Sequence, residues 1–161
     1  MIIAATGHRP PKLGGYGEDV RVALRILAMN YLAAELPEQA VSGMALGWDE
    51  AFAEGAVELG IPLIAAVPFK GHDSRWPPES RRRLEALLSK AASVYVVSDI
   101  PGSRAMQKRN EWMVDRANKM CALWDGSWGG TFNCLKYAKK VDRPFDNLWP
   151  RWENDLSSLL G

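Results

Sequence analysis

The chain has 161 residues, a length suited to one domain, residues 1–161, with a single core. Apolar residues make up 47% and charged residues 24%, an ordinary globular mix that excludes fibrous and low-complexity classes. The formal net charge is +1, so no global field directs the chain to nucleic acid or to an anionic membrane surface.

Ile2 to Ala5 reads as a buried strand, and Thr6-Gly7-His8-Arg9-Pro10-Pro11 ends it because proline cannot continue the ladder. The same N-terminal stretch lacks the basic segment and the apolar length of a signal peptide. No segment approaches the roughly 20 apolar residues of a membrane span. A cytoplasmic location without a membrane partner is therefore expected. After Gly14-Gly15-Tyr16-Gly17, apolar residues at helical spacing predict a helix from Asp19 to Glu35, stopped by Pro37. Gln39 to Ser42 reads as a short strand, Trp48 to Leu59 as a helix ended by Gly60, and Ile61 to Val67 as a buried strand. Pro68 to Pro78 is a long connection carrying Lys70, His72, Arg75 and Trp76. Loops of this kind often serve as lids, which makes Lys70, Arg75 and Trp76 lid candidates.

A helix is predicted over Glu79–Lys90, a strand over Ala92–Ser98, a helix over Ser103–Asn118 and a strand over Met120–Trp124. The turn Asp125-Gly126-Ser127-Trp128-Gly129-Gly130-Thr131 then leads into a helix over Phe132–Lys139. The tail reads as an extended piece followed by a helix from Trp152. Cys121 and Cys134 fall in elements that read as buried, outside any Cys/His cluster. They are expected to be inert thiols, with no metal and no cofactor implied. Strands alternating with helices predict an α/β fold of Rossmann-like build: an open parallel sheet of about five strands with helices on both faces.

Ligands of such sheets bind outside the carboxyl ends of the strands, where the strand order reverses. Three strand ends carry small or polar clusters on that edge. Asp125, Gly126, Gly129, Gly130 and Thr131 lie before a helix whose N-terminal N–H groups and partial positive charge suit a phosphate. The same residues would also serve as a tight turn with Thr131 as the N-cap. Ser42-Gly43-Met44-Ala45-Leu46-Gly47-Trp48-Asp49 is a second strand-to-helix turn. Asp49 there would repel phosphate, and is suited to accept from ribose hydroxyls or a base. Thr6-Gly7-His8-Arg9 is the third: Arg9 is suited to clamp an anion, and His8 is an acid/base candidate. Arg109 and Asn110 lie within a predicted helix, and the Asn110 amide can read a base edge or brace a loop. The loops of Trp76 and Trp128 could set a ring against a base.

Taken in order over residues 1–140, these motifs resemble the YpsA-like branch of the SLOG superfamily, which includes DNA-processing protein A and the LOG phosphoribohydrolases. The resemblance implies a Rossmann-like fold, a pocket for nucleotide-derived ligands and a homo-oligomer. The LOG motif Gly-Gly-x-Gly-Thr-x-x-Glu places its Gly-Thr pair on Gly130-Thr131 and its catalytic glutamate on Cys134, so the acid is missing here. The expectation is a protein that binds a nucleotide, an ADP-ribose-like or a cyclic-nucleotide small molecule as sensor or sequestering protein. One alternative is an N-glycosidase of nucleoside monophosphates or nucleotide sugars using Asp49, Glu111 or His8. Another is a module for single-stranded nucleic acid or a protein partner. With near-neutral charge and no stripe of basic and aromatic residues, nucleic acid is not an expected partner.

Overall fold

The structure, a computed structural model, describes residues 1–160. Its six strands are β1 (Ile2–Gly7), β2 (Gln39–Ser42), β3 (Leu63–Phe69), β4 (Ser93–Ser98), β5 (Lys119–Leu123) and β6 (Phe145–Asn147). Its six α-helices are α1 (Glu18–Glu35), α2 (Trp48–Glu58), α3 (Pro78–Lys90), α4 (Ser103–Arg116), α5 (Gly130–Lys140) and α6 (Trp149–Leu160). A single 3₁₀ turn, Pro10–Lys12, follows β1. The strands form one parallel sheet in the order β4-β3-β2-β1-β5-β6.

The central strands of the sheet are buried on both faces, and alternation along each of them sends side chains to opposite layers, whereas the edge strand β4 is largely exposed. Ile3 and Ala5 of β1 join the core formed with α1, α2 and α6, whereas Ala4 joins the core formed with α4 and α5. Met120 of β5 faces the second layer, and Cys121 and Leu123 face the first. Leu63 and Ala65 of β3 pack with Leu84 and Leu87 of α3 and Ala53 of α2. The first three crossovers thus lie on one side. The chain then passes over β1 to place β5 and α5 on the other, so the order reverses between β1 and β5.

The sheet has one strand more than expected. β6 is three residues long, too short for a hydrophobic period, and is defined only by pairing with β5 (Met120 with Phe145, Ala122 with Asn147). The last helix begins at Trp149 rather than Trp152, and seats the fully buried Trp152 against the first core. Among the described residues no helix is long and apolar enough to cross a membrane.

Candidate functional site

β1 and β5 stay paired to their last residues, Gly7 with Leu123, and the chain segments that follow them wall a crevice. The β1 exit is held by backbone bonds: His8 N–H to Leu123 O at 3.1 Å and Trp48 N–H to His8 O at 3.2 Å. The Trp48 indole N–H reaches Cys121 O at 3.2 Å. A Cβ on Gly7 would lie 2.5 Å from Trp48 Cδ1, so the Trp48 ring occupies the space that the missing side chain leaves. A Cβ on Gly43 would lie 2.6 Å from Arg109 Nη1. Gly47 has φ +90°, and a Cβ there would meet His8 O at 2.6 Å. At these three glycines the space of the absent side chain is filled by protein atoms.

Arg109, on α4, is 5% exposed. Its guanidinium donates to Gly43 O and to Asn110 Oδ1, and approaches Met106 Sδ at 3.9 Å. Asn110 Nδ2 extends to Gly130 O at 3.5 Å, so the α4 pair braces both loops. Asp49, 5% exposed, caps its own loop: Oδ2 accepts from Ala45 N–H at 3.4 Å. Ser42 is spent internally, donating to Asp49 O and accepting from Met44 N–H. Met44 holds a left-handed φ of 59°. Asp49 Oδ1 is buried and has no hydrogen-bond partner among the described residues. Burial pushes the Asp49 carboxyl up to about 6, against the opposing pull of Arg109 and the Ala45 N–H.

The β5 exit is tied to the β1 exit by His8. Its Nε2 lies 2.7 Å from Asp125 Oδ1 and 3.0 Å from the Asp125 backbone nitrogen. One ring nitrogen cannot donate to the first and accept from the second in the same tautomer, and the shorter contact assigns the proton to Nε2. Burial lowers the His8 pKa, while Asp125 partly offsets this. Burial works against Asp125 ionisation, but hydrogen bonds from Ser127 and His8 outweigh it and hold the carboxyl down at about 2. Ser127 Oγ in turn accepts from Lys12 Nζ at 2.5 Å.

The turn beyond is open. Gly126 (φ +92°), Gly129 (φ +148°) and Gly130 have nothing within 4 Å of an added Cβ. Gly129, not Thr131, occupies the N-cap position of α5, and no side chain caps that helix. The first intrahelical bond is Asn133 N–H to Gly129 O, so the N–H groups of Gly130, Thr131 and Phe132 have no intrahelical acceptor.

A cleft of about 450 Å³ lies between these segments. Of the residues expected to bind ligand, Thr6, Gly7, His8, Arg9, Asp49, Arg109, Asn110, Gly129, Gly130 and Thr131 line it. Ser42, Gly43, Met44, Gly47, Asp125 and Gly126 do not line it; Gly43 O holds Arg109 and Asp125 holds His8, both of which do. Glu111 accepts from Gln107 at 3.1 Å and does not line the cleft. Cys134 is buried below Thr6, its thiol pushed up to about 12 by burial although the Thr6 hydroxyl opposes this. Of the lid candidates, only Trp76 reaches the neighbouring hollow beside Arg9; Lys70 lines a separate groove along α3, and Arg75 lines neither. Sequence reasoning missed Lys12, Met106 and Met113 as lining residues. Lys12 sits in the 3₁₀ turn, and the two methionines read as helix packing, so only tertiary placement reveals them. Trp128 stands at the rim, 82% exposed, with its ring 4.7 Å from Phe132.

Fold and site together define a Rossmann-like α/β protein with a cleft at its topological switch point. The sequence model of the YpsA family, the YspA SLOG family, matches residues 3–146, and the chain belongs to that family. It is 36% identical over 119 residues to the SPbeta prophage-derived protein YoqJ of Bacillus subtilis, covering 63% of this chain and 69% of that protein. DNA processing protein A of Streptococcus pneumoniae superposes with a TM-score of 0.64 at 18% identity, over 89% of this chain and 48% of that one. The chain thus spans about half the length of that relative. DNA processing protein A of Helicobacter pylori, solved for its single-stranded DNA binding mode, superposes with a TM-score of 0.63 at 18% identity, over 99% of this chain and 80% of that one. This likeness corrects the expectation that nucleic acid is not a partner. The same fold carries single-stranded DNA binding in that protein, and near-neutral net charge is no ground for dismissal. Trp128 lies more than a hundred residues from Arg9 and Lys12 yet lines the same cleft, so a stripe sought along the chain misses the grouping.

Proposed function

We propose that the protein binds a nucleotide or nucleotide-derived small molecule in the switch-point cleft, as sensor or sequestering protein. The phosphate lies at the Gly129–Thr131 turn, and Asp49 accepts from a sugar hydroxyl. The observation that carries this reading is an uncapped helix N-terminus, open at Gly129 and Gly130, in a cleft also lined by Asp49, whose buried Oδ1 has no hydrogen-bond partner among the described residues. Arg9 and Lys12 add positive charge at the mouth.

The test is a thermal-shift and calorimetric comparison of wild type and Gly130→Asp with nucleoside monophosphates. Ligand at about 100 times its Kd should raise the melting temperature by roughly 5–10 °C. Asp at the first helical position favours the helix but repels phosphate, so this variant should stay folded and lose the shift. No shift with any nucleotide, or a shift that survives Gly130→Asp, refutes the reading. Chromatography of the same mixtures for free base tests hydrolysis.

A second reading, binding of single-stranded DNA, is favoured by the exposed Trp128 ring beside Lys12 and Arg9. It predicts salt-sensitive retention of an oligonucleotide that Trp128→Ala weakens.

A further inference from the structure

The cleft continues past Arg109. A second hollow of about 220 Å³ shares Arg9, Ala45, Met106 and Arg109 with the first. Its remaining walls are Pro10, Tyr16, Leu46, His72 and Trp76. These come from the stretch after β1, the loop after β2 and the long loop between β3 and α3. Its chemistry differs from that of the α5 end, being aromatic and aliphatic with no helix N-terminus.

His72 holds the long loop in place, with Nε2 3.2 Å from Met44 O. A carbonyl oxygen only accepts, so Nε2 carries the proton. Burial lowers the His72 pKa and favours the neutral ring, in which Nδ1 is an acceptor. Nδ1 has no hydrogen-bond partner among the described residues. The His72 ring meets Trp76 edge-on, with centroids 5.2 Å apart and planes at 79°. The hollow therefore combines a flat aromatic wall and apolar surfaces from Leu46 and Pro10 with the ring of His72, whose Nδ1 is unclaimed among the described residues.

We infer that this hollow seats the heterocyclic base of the ligand, stacked along Trp76, with an exocyclic amine donated to His72 Nδ1. The inference rests on the nucleotide reading above. The α5 turn and Asp49 line one hollow, and the aromatic hollow adjoins it through Arg9, Ala45, Met106 and Arg109, an arrangement suited to the phosphate, sugar and base of a nucleoside 5′-monophosphate. The loop between β3 and α3 thereby acquires a role, that of setting which base is accepted.

Calorimetry with ribose 5-phosphate, AMP and IMP separates the parts. Wild type should bind AMP about tenfold more tightly than ribose 5-phosphate, the gain expected for one base on one ring. It should also prefer AMP to IMP, which lacks the amine. Trp76→Leu should abolish the advantage of AMP and leave ribose 5-phosphate unchanged. Trp76 also packs on the α3 core, so Tyr16→Ala serves as the second variant. Tyr16 is 63% exposed, and its loss should weaken AMP several-fold without affecting ribose 5-phosphate. Equal affinity for AMP and ribose 5-phosphate, or an AMP advantage that survives both substitutions, overturns the base seat and leaves the phosphate site standing. Equal affinity for AMP and IMP overturns the contact with His72. If neither ribose 5-phosphate nor AMP binds, the nucleotide reading falls and the base seat falls with it.

Discussion

Asp49→Asn is expected to stabilise the unliganded protein at neutral pH. Burial pushes the Asp49 carboxyl from its ordinary 3.8 up to about 6, even though Arg109 and the Ala45 N–H favour the ionised form. That interval corresponds to about 3 kcal/mol between the two protonation states. The folded protein holds the Asp49 proton more tightly than the unfolded chain does. The associated stability is therefore complete below about pH 4 and is lost as pH rises through about 6. An amide resembles the neutral acid at every pH. Urea unfolding of wild type and variant between pH 4 and 7.5 should show a difference near zero at the acid end. It should grow to about 3 kcal/mol in favour of the variant by pH 7, or roughly 6–12 °C in Tm for a chain of this size. The comparison cancels every other titrating group. A variant less stable than wild type at pH 7, or a difference independent of pH, would refute the reasoning. Under the proposed function the same variant binds nucleotide more weakly, so the carboxylate is retained at a cost in stability.

Gly7→Ala should destabilise by about 1–3 kcal/mol, measured by chemical denaturation, because its Cβ would overlap the Trp48 ring. Gly130→Ala, with open space at that position, should leave stability nearly unchanged. Arg109→Met should cost about 3 kcal/mol or more, since it strands Gly43 O and removes the cation beside Asp49. Combining it with Asp49→Asn should recover part of that loss, and a simple sum of the two effects would show that the groups do not couple. Cys121 and Cys134 are buried, and burial raises both thiol pKa values. Neither should react with a thiol reagent until the protein unfolds; rapid labelling of the native protein would contradict their placement.

The order of strands and helices was legible because each central element writes its burial into a local pattern. The apolar run of β3 and the helical spacing of α1 need no knowledge of neighbours. β6 left no such trace, since three residues define no period and only the free edge of β5 makes them a strand. Arg9, Asp49, Asn110 and the Gly129–Thr131 turn were visible as small and polar clusters at strand ends, and all line the cleft. Glu111 carried the same kind of chemistry, but its helical phase turns it to a partner on α4.

By itself, then, the sequence determined the class of fold and the edge of the sheet where chemistry gathers, because periodicity and turn composition are local properties. Tertiary structure alone decided what each glycine is for. Gly7, Gly43 and Gly47 make room for Trp48, Arg109 and the β1 exit, while Gly129 and Gly130 face open space. The sequence letter is the same in all five, and the difference lies in which atoms other segments bring within a few ångströms. The orphaned oxygen of Asp49 and the hollow that Pro10, Leu46 and Trp76 wall are likewise products of convergence. Their constituents lie far apart along the chain, and the physical quantities that matter, burial and an unmet hydrogen bond, exist only once the chain has folded.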